Sequence, residues 1–221
     1  MMLNKFIDHT LLKQDSTKEM FIDLCNQAKE YDFKTVCVNP SWITYCKSLL
    51  QGSDVGVCTV IGFPLGAMTC ESKVFEARQA VELGADEVDM VINIGKLKDN
   101  DFDYLVNEIS AIKKAIGDKV LKVIIETCLL TDEEKVRACD AIIVAKADFV
   151  KTSTGFSKSG ATVEDVKILK EASKGILKVK AAGGVKSYED LLAMIDAGAD
   201  RIGTSSGVML MSNKKADSNS Y

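Results

Sequence analysis

The chain has 221 residues, with 28 Lys and Arg against 32 Asp and Glu, a formal net charge of -4 at pH 7, 47% hydrophobic residues and 27% charged ones. That composition suits one globular domain with a sizeable core and excludes a disordered chain. The acidic balance, without a basic stripe interleaved with aromatics, excludes general nucleic-acid binding.

Residues 1–8 carry no apolar leader, and no run reaches the roughly 20 apolar residues that span a bilayer. Neither a nucleic acid nor a membrane is expected as a partner. Seven cysteines, Cys25, Cys37, Cys46, Cys58, Cys70, Cys128 and Cys139, are scattered without a CxxC spacing, and His9 is the one histidine. The pattern reads as reduced thiols in a cytoplasmic protein, and it disfavours a metal site, which needs clustered ligands.

Apolar, β-branched runs alternate with amphipathic segments along the chain. A short strand is predicted at 6–10 and a helix at 17–31, then strands at 34–39 and 55–63 and a helix at 71–83. A strand at 87–94 precedes a helix at 101–116, and one at 120–127 precedes a helix at 132–146. The series closes with strand 148–154, helix 163–172, strand 177–182, helix 188–197 and strand 201–205. Most helices start after a Ser, Thr or Asp cap. Gly84-Ala85-Asp86, Lys146-Ala147-Asp148 and Gly198-Ala199-Asp200 each join a helix to a strand.

The repeat interval of roughly 28 residues suits a β/α unit. Eight such units without a linker predict a single closed (β/α)8 TIM barrel over 1–211, with an open doubly wound sheet as the alternative. Residues 212–221 are polar and read as a flexible tail.

Strands of a parallel barrel are buried on both faces, so charges inside them are the anomaly to follow. Asp8, Asp89, Lys122, Lys151, Lys178 and Lys180 are such charges. Lys178 and Lys122 read equally well as stems reaching solvent. Asp89, Lys122, Lys151 and Lys180 fall on the fourth to seventh strands, so their side chains converge if they point inward. Two neighbouring buried lysines each raise the cost of charging the other, which favours a neutral amine able to attack a carbonyl and form a Schiff base. A carboxylate among them stays ionised and can pass protons. Lys151 lies nearer the carboxyl end of its strand, where barrel active sites lie.

Glycines follow the late strands: Gly155, Gly183-Gly184, and Gly203-Thr204-Ser205-Ser206-Gly207. Their amides and hydroxyls suit a phosphate, which this fold often holds after its seventh and eighth strands. Neither GxGxxG nor GxxxxGK[ST] occurs, which excludes dinucleotide and P-loop sites. Gly62-Phe63-Pro64-Leu65-Gly66 shapes the pocket rim, and His9 reads as a packed structural histidine.

The stretches Ile7-Asp8-His9-Thr10-Leu11-Leu12, Val36-Cys37-Val38-Asn39-Pro40, Glu87-Val88-Asp89-Met90-Val91, Lys122-Val123-Ile124-Ile125-Glu126-Thr127, Phe149-Val150-Lys151-Thr152-Ser153-Thr154-Gly155 and Lys180-Ala181-Ala182-Gly183-Gly184-Val185 occur in this order. In them the chain resembles the 2-deoxyribose-5-phosphate aldolases, class I Schiff-base aldolases on a (β/α)8 barrel, over nearly its whole length.

The resemblance implies reversible cleavage of 2-deoxy-D-ribose 5-phosphate to D-glyceraldehyde 3-phosphate and acetaldehyde in deoxyribonucleoside catabolism, without metal or organic cofactor. It implies that Lys151 forms the Schiff base, that Lys180 lowers its pKa and aids proton transfer, and that Asp89 donates or accepts protons. Lys122 would support Asp89, and Cys37 would line the pocket. Gly155, Gly183, Gly184, Ser205 and Ser206 would hold the phosphate, and Asp8 and Thr152, from the matching motifs, join the substrate-binding set. Phe156 stands where some members carry a basic residue after the Thr-Gly. Family members can also end in a tyrosine that folds over the site, and this chain ends in Tyr221. A homodimer or larger homo-oligomer is implied as well. The rival readings are another Schiff-base aldolase or a transaldolase, and a catalytically silent sugar-phosphate binder.

Overall fold

The structure is a computed structural model that describes residues 2–212. The expected tail, apart from Ser212, and Tyr221 with it, lies outside the described residues.

Eight parallel strands close into a barrel in sequence order. They are β1 (Ile7–Leu11), β2 (Thr35–Val38), β3 (Gly56–Ile61), β4 (Glu87–Val91), β5 (Val120–Ile124), β6 (Phe149–Lys151), β7 (Lys178–Ala182) and β8 (Arg201–Thr204), and β8 pairs back with β1 through Asp8 and Gly203. Around them lie α1 (Lys18–Glu30), α2 (Ile43–Leu49), α3 (Cys70–Glu82), α4 (Ile94–Lys98), α5 (Phe102–Ile116), α6 (Asp132–Val144), α7 (Val163–Ala172), α8 (Tyr188–Asp196) and α9 (Gly207–Met211). The closed barrel is the expected fold, and no open sheet forms.

The helices begin where the sequence placed caps. Thr131 with Glu134 and Ser187 with Asp190 form reciprocal capping boxes, and Asp101 and Thr162 each accept from a first-turn amide. Gly84, Lys146 and Gly198 turn the chain from helix to strand at positive φ, as their shared motif implied.

Seven strands are shorter than expected, by one to four residues, because the chain leaves the regular ladder at their ends. The predicted end of the fourth strand instead opens α4, and Thr127–Leu129 is a 3-10 turn. The short helices α2 and α9 were not expected, since one or two turns give too little periodicity to read.

Strand alternation sorts the side chains. Val88 and Met90 of β4, Leu121 and Val123 of β5, Val150 of β6, Val179 of β7 and Ile202 of β8 pack outward in the main apolar core, against helix residues such as Phe21, Ile109 and Leu169. Each such side chain contributes about 1.5–3 kcal/mol when removed from water. The alternate positions point into the barrel, and there the expectation of strands apolar on both faces fails. Beside a small apolar group, Leu12, Cys37, Cys58 and Val60, the interior holds a cluster of buried charges.

Candidate active site

Asp89 is the hub of that interior. Its Oδ1 receives Lys122 Nζ at 2.7 Å, and its Oδ2 receives both Lys151 Nζ at 2.9 Å and Lys180 Nζ at 2.8 Å. The register explains the meeting: Asp89 pairs with Lys122 across β4 and β5, and Lys151 with Lys180 across β6 and β7. Asp8, Asp89, Lys122 and Lys180 are fully buried, whereas Lys151 keeps 3% exposure toward the mouth. Gly203 of β8 leaves the space Lys180 fills, since a Cβ there would lie 3.1 Å from Lys180 Cε.

Burial by itself would neutralise these groups, but their opposite charges outweigh it. Burial raises the Asp89 carboxyl, yet Lys122, Lys151 and Lys180 hold it well below the usual carboxylate range. Burial likewise raises Asp8, and Lys180 and Arg201 pull it below its ordinary value. Desolvation lowers Lys180 and Lys122, but Asp8 and Asp89 raise the former and Asp89 the latter. Lys180 is therefore held as an ammonium. The sequence treated the two lysines as mutual repellers, and the carboxylate wedged between them changes that balance.

Two charges that the sequence reading passed over complete the interior. Glu87 Oε2 pairs with Lys122 and lies 3.0 Å from Arg201 Nη1, and the same Nη1 lies 2.7 Å from Asp8 Oδ1. Thr35 donates to Asp8 Oδ1 as well, at 2.7 Å. Both Glu87 and Arg201 open their strands and so resemble solvent-facing ends. The available signal was the period of two, which puts Glu87 on the face of Asp89. The Phe149 ring floors the cluster, with the Arg201 guanidinium 5.5 Å from its centroid.

Cys37 faces Cys58 across β2 and β3. Cys37, Cys58 and Asp89 present ligand-type atoms within 4.8 Å of one another, a grouping their sequence spacing hides. A cation already sits there: Lys122 Nζ lies 3.3 Å from Cys58 Sγ.

At the carboxyl ends of the last strands, Gly183, Gly184, Lys186, Gly203, Ser205 and Ser206 line one small cavity. Gly155, Gly183 and Gly184 all adopt positive φ. Gly160 lies so close that a Cβ there would sit 2.3 Å from the Gly183 carbonyl carbon, and Ala161 N donates to the carbonyls of Ala182 and Gly183 at 3.1 and 3.0 Å. The loop after β6 thus seats on the end of β7 and brings the expected phosphate-loop residues together. Lys186, exposed at the edge of this cavity, and Gly160 were not singled out in the sequence. Phe156 packs edge-on against Phe63 with centroids 5.3 Å apart, on the rim expected of the Gly62–Gly66 turn.

Thr152 is placed apart from this pocket. Its hydroxyl accepts from Ala182 N at 3.1 Å and donates to Ala182 O, fastening β6 to β7. His9 is buried outside the barrel interior, with Nε2 2.7 Å from Gln27 Oε1, the packed position expected of it.

Two lysine nitrogens on one carboxylate oxygen, below a mouth rimmed with glycine amides, suit carbonyl addition and proton transfer on an anionic substrate. Comparison with known proteins agrees. The sequence model of the DeoC/LacD family aldolases matches residues 2–213. The deoxyribose-phosphate aldolase of Streptococcus gordonii is 58% identical over 219 residues, which are 99% of this chain and 100% of that protein. A solved structure of a proposed deoxyribose-phosphate aldolase from Coccidioides immitis superposes with a TM-score of 0.94 at 40% identity, covering 96% of this chain and 85% of that one. The tetrameric deoxyribose phosphate aldolase of Aeropyrum pernix gives 0.87 at 34% identity, over 95% of this chain and 89% of that one. Among the described residues no helix is long and apolar enough to cross a membrane. The family resemblance read from the strand motifs is borne out: the chain belongs to the DeoC/LacD family aldolases.

Proposed function

We propose that this aldolase cleaves 2-deoxy-D-ribose 5-phosphate reversibly to D-glyceraldehyde 3-phosphate and acetaldehyde through a Schiff base on Lys151. The observation that carries the reading is the sharing of Asp89 Oδ2 by Lys151 and Lys180. In the barrel interior Asp8, Glu87 and Asp89 are matched by Lys122, Lys180 and Arg201, so Lys151 can give up its proton without leaving a carboxylate unpaired.

The neutral amine adds to the C1 aldehyde of the open-chain sugar, and the carbinolamine loses water to give an iminium, with Asp89 and Lys180 moving the protons. Removal of the C3 hydroxyl proton then lets the C2–C3 bond break. Its electron pair flows into the iminium, leaving an enamine on Lys151 and releasing glyceraldehyde 3-phosphate. Protonation at C2 and addition of water return acetaldehyde and the free amine. The glycine amides and serines after β6 to β8, with Lys186 beside them, would hold the phosphate. The deoxyribose-phosphate names of the relatives favour this substrate over other sugar phosphates.

The same reading makes residues 1–211 one catalytic domain working in deoxyribonucleoside catabolism. It places the protein in the cytoplasm, where its seven free cysteines stay reduced. It makes the protein a homo-oligomer, as the tetrameric relative is.

Borohydride reduction with acetaldehyde, followed by peptide mass spectrometry, tests the chemistry. The expected product is N-ethyl-lysine at position 151. An adduct on Lys180 would reverse the lysine roles, and active enzyme without any adduct would overturn the Schiff-base mechanism.

A further inference from the structure

The ion pairs inside the barrel close on themselves. Asp89 binds Lys122, Lys122 binds Glu87, and Glu87 binds Arg201; Arg201 binds Asp8, Asp8 binds Lys180, and Lys180 returns to Asp89. Carboxylates and cations alternate around this ring, and Lys151 hangs from it through Asp89 Oδ2. Arg201 is the joint between the two arms, because its Nη1 alone serves Asp8 and Glu87. Glu87 and Arg201 start their strands, and Glu87 lines a cavity at the amino-terminal end of the barrel, opposite the phosphate rim. No ion pair or hydrogen bond joins either of them to Lys151.

We infer that Glu87 and Arg201 are positioning residues for the aldolase reaction: they fix the place and the charge of Lys122 and Lys180 on Asp89, and through Asp89 the readiness of Lys151.

A lysine carries about 2 kcal/mol of rotamer entropy and tends to swing its ammonium toward water. One partner fixes such a group poorly, whereas two partners on opposite sides define a single position. Lys122 is held between Asp89 and Glu87, and Lys180 between Asp89 and Asp8. The carboxylates that anchor the far ends are themselves held by Arg201 through Nη1. The coupling is also electrostatic. Among these buried groups, loss of the Glu87 charge makes every nearby ammonium harder to keep, and loss of the Arg201 charge makes it easier.

Each strand contributes a group that faces Lys151 or its hub. Asp8 comes from β1, the thiols of Cys37 and Cys58 from β2 and β3, and Glu87 and Asp89 from β4. Lys122, Lys180 and Arg201 complete the circle from β5, β7 and β8. Burial pushes the Cys58 thiol well up, so it adds no charge to this balance.

The inference rests on the Schiff-base reading, and the test separates the two. Glu87→Gln, Arg201→Met, Arg201→Lys and the double variant Glu87→Gln/Arg201→Met are compared with the parent in kcat, KM and the acidic limb of kcat/KM against pH, with melting curves alongside. Glu87→Gln is expected to lower kcat roughly tenfold with KM within about twofold, and to move the limb down by roughly one pH unit. Arg201→Met moves it up, the double variant returns it toward the parental position, and Arg201→Lys leaves it there.

A purely structural role would loosen the barrel without opposite shifts from the two single variants. Limbs that stay still, or that move the same way, overturn the inference, as does a kcat within twofold of the parent for Glu87→Gln. If Arg201→Met does not fold, the limb of Glu87→Gln alone decides. Borohydride trapping on the parent stands apart: a parental adduct at Lys151 with unshifted limbs defeats the ring inference and keeps the mechanism.

Discussion

Lys151 and Lys180 meet on a single atom, Oδ2 of Asp89, at 2.9 and 2.8 Å. The first is the one cluster amine with exposure toward the mouth, and the second is sealed beneath it. One carboxylate oxygen thus links the amine nearest the mouth to an ammonium buried below it, an arrangement that suits the proposed division into addition by one nitrogen and proton delivery by the other.

Replacing Lys180 with Met tests that division. It removes the ammonium from Asp89 and from Asp8, leaving two buried carboxylates short of a partner. Turnover is expected to fall roughly 10²–10⁴-fold. Stability is expected to fall by about 3–5 kcal/mol, the cost of an uncompensated buried charge. Steady-state kinetics and urea denaturation read the two effects, and near-parental turnover in Lys180→Met would remove Lys180 from the mechanism.

The loop after β6 offers a test of phosphate recognition. A Cβ on Gly160 would meet the Gly183 carbonyl carbon at 2.3 Å, so Gly160→Ala forces the loop away from the end of β7. KM for deoxyribose 5-phosphate is expected to rise at least about tenfold, the loss of one charge-assisted contact or more. Unphosphorylated deoxyribose should show little change. An equal loss on both substrates would mean that these loops do not hold the phosphate.

His9 makes part of the stability pH-dependent. Burial lowers its pKa below the ordinary 6.5, against the hydrogen bond to Gln27 Oε1 that raises it. Below about pH 6.5 the unfolded chain takes up a proton that the folded chain still refuses, so stability falls as pH falls, by at most about 1.4 kcal/mol per unit until the lower folded value is reached. His9→Gln should lack this slope when denaturation is followed between pH 7 and pH 5. Asp8 and Asp89, held below their ordinary range, keep their contributions through that interval and lose them only in stronger acid.

The primary structure determined the barrel and most of its reactive set. Period-two runs, capped helices and the helix-to-strand turns at Gly84, Lys146 and Gly198 are local features, and local features survive in one dimension. Asp89, Lys122, Lys151 and Lys180 were legible because a charge in a buried strand is costly and therefore conspicuous. Glu87 and Arg201 were not, since a charge that opens a strand looks like one that meets water, and only closure of β8 onto β1 turns Arg201 inward to Asp8. Thr152 shows the converse: its motif is explicit in the chain, yet pairing of β6 with β7 commits its hydroxyl to the Ala182 backbone. What tertiary structure alone decided is which charges share a carboxylate, because contacts between residues as distant in sequence as Asp8 and Arg201 depend on barrel closure and register.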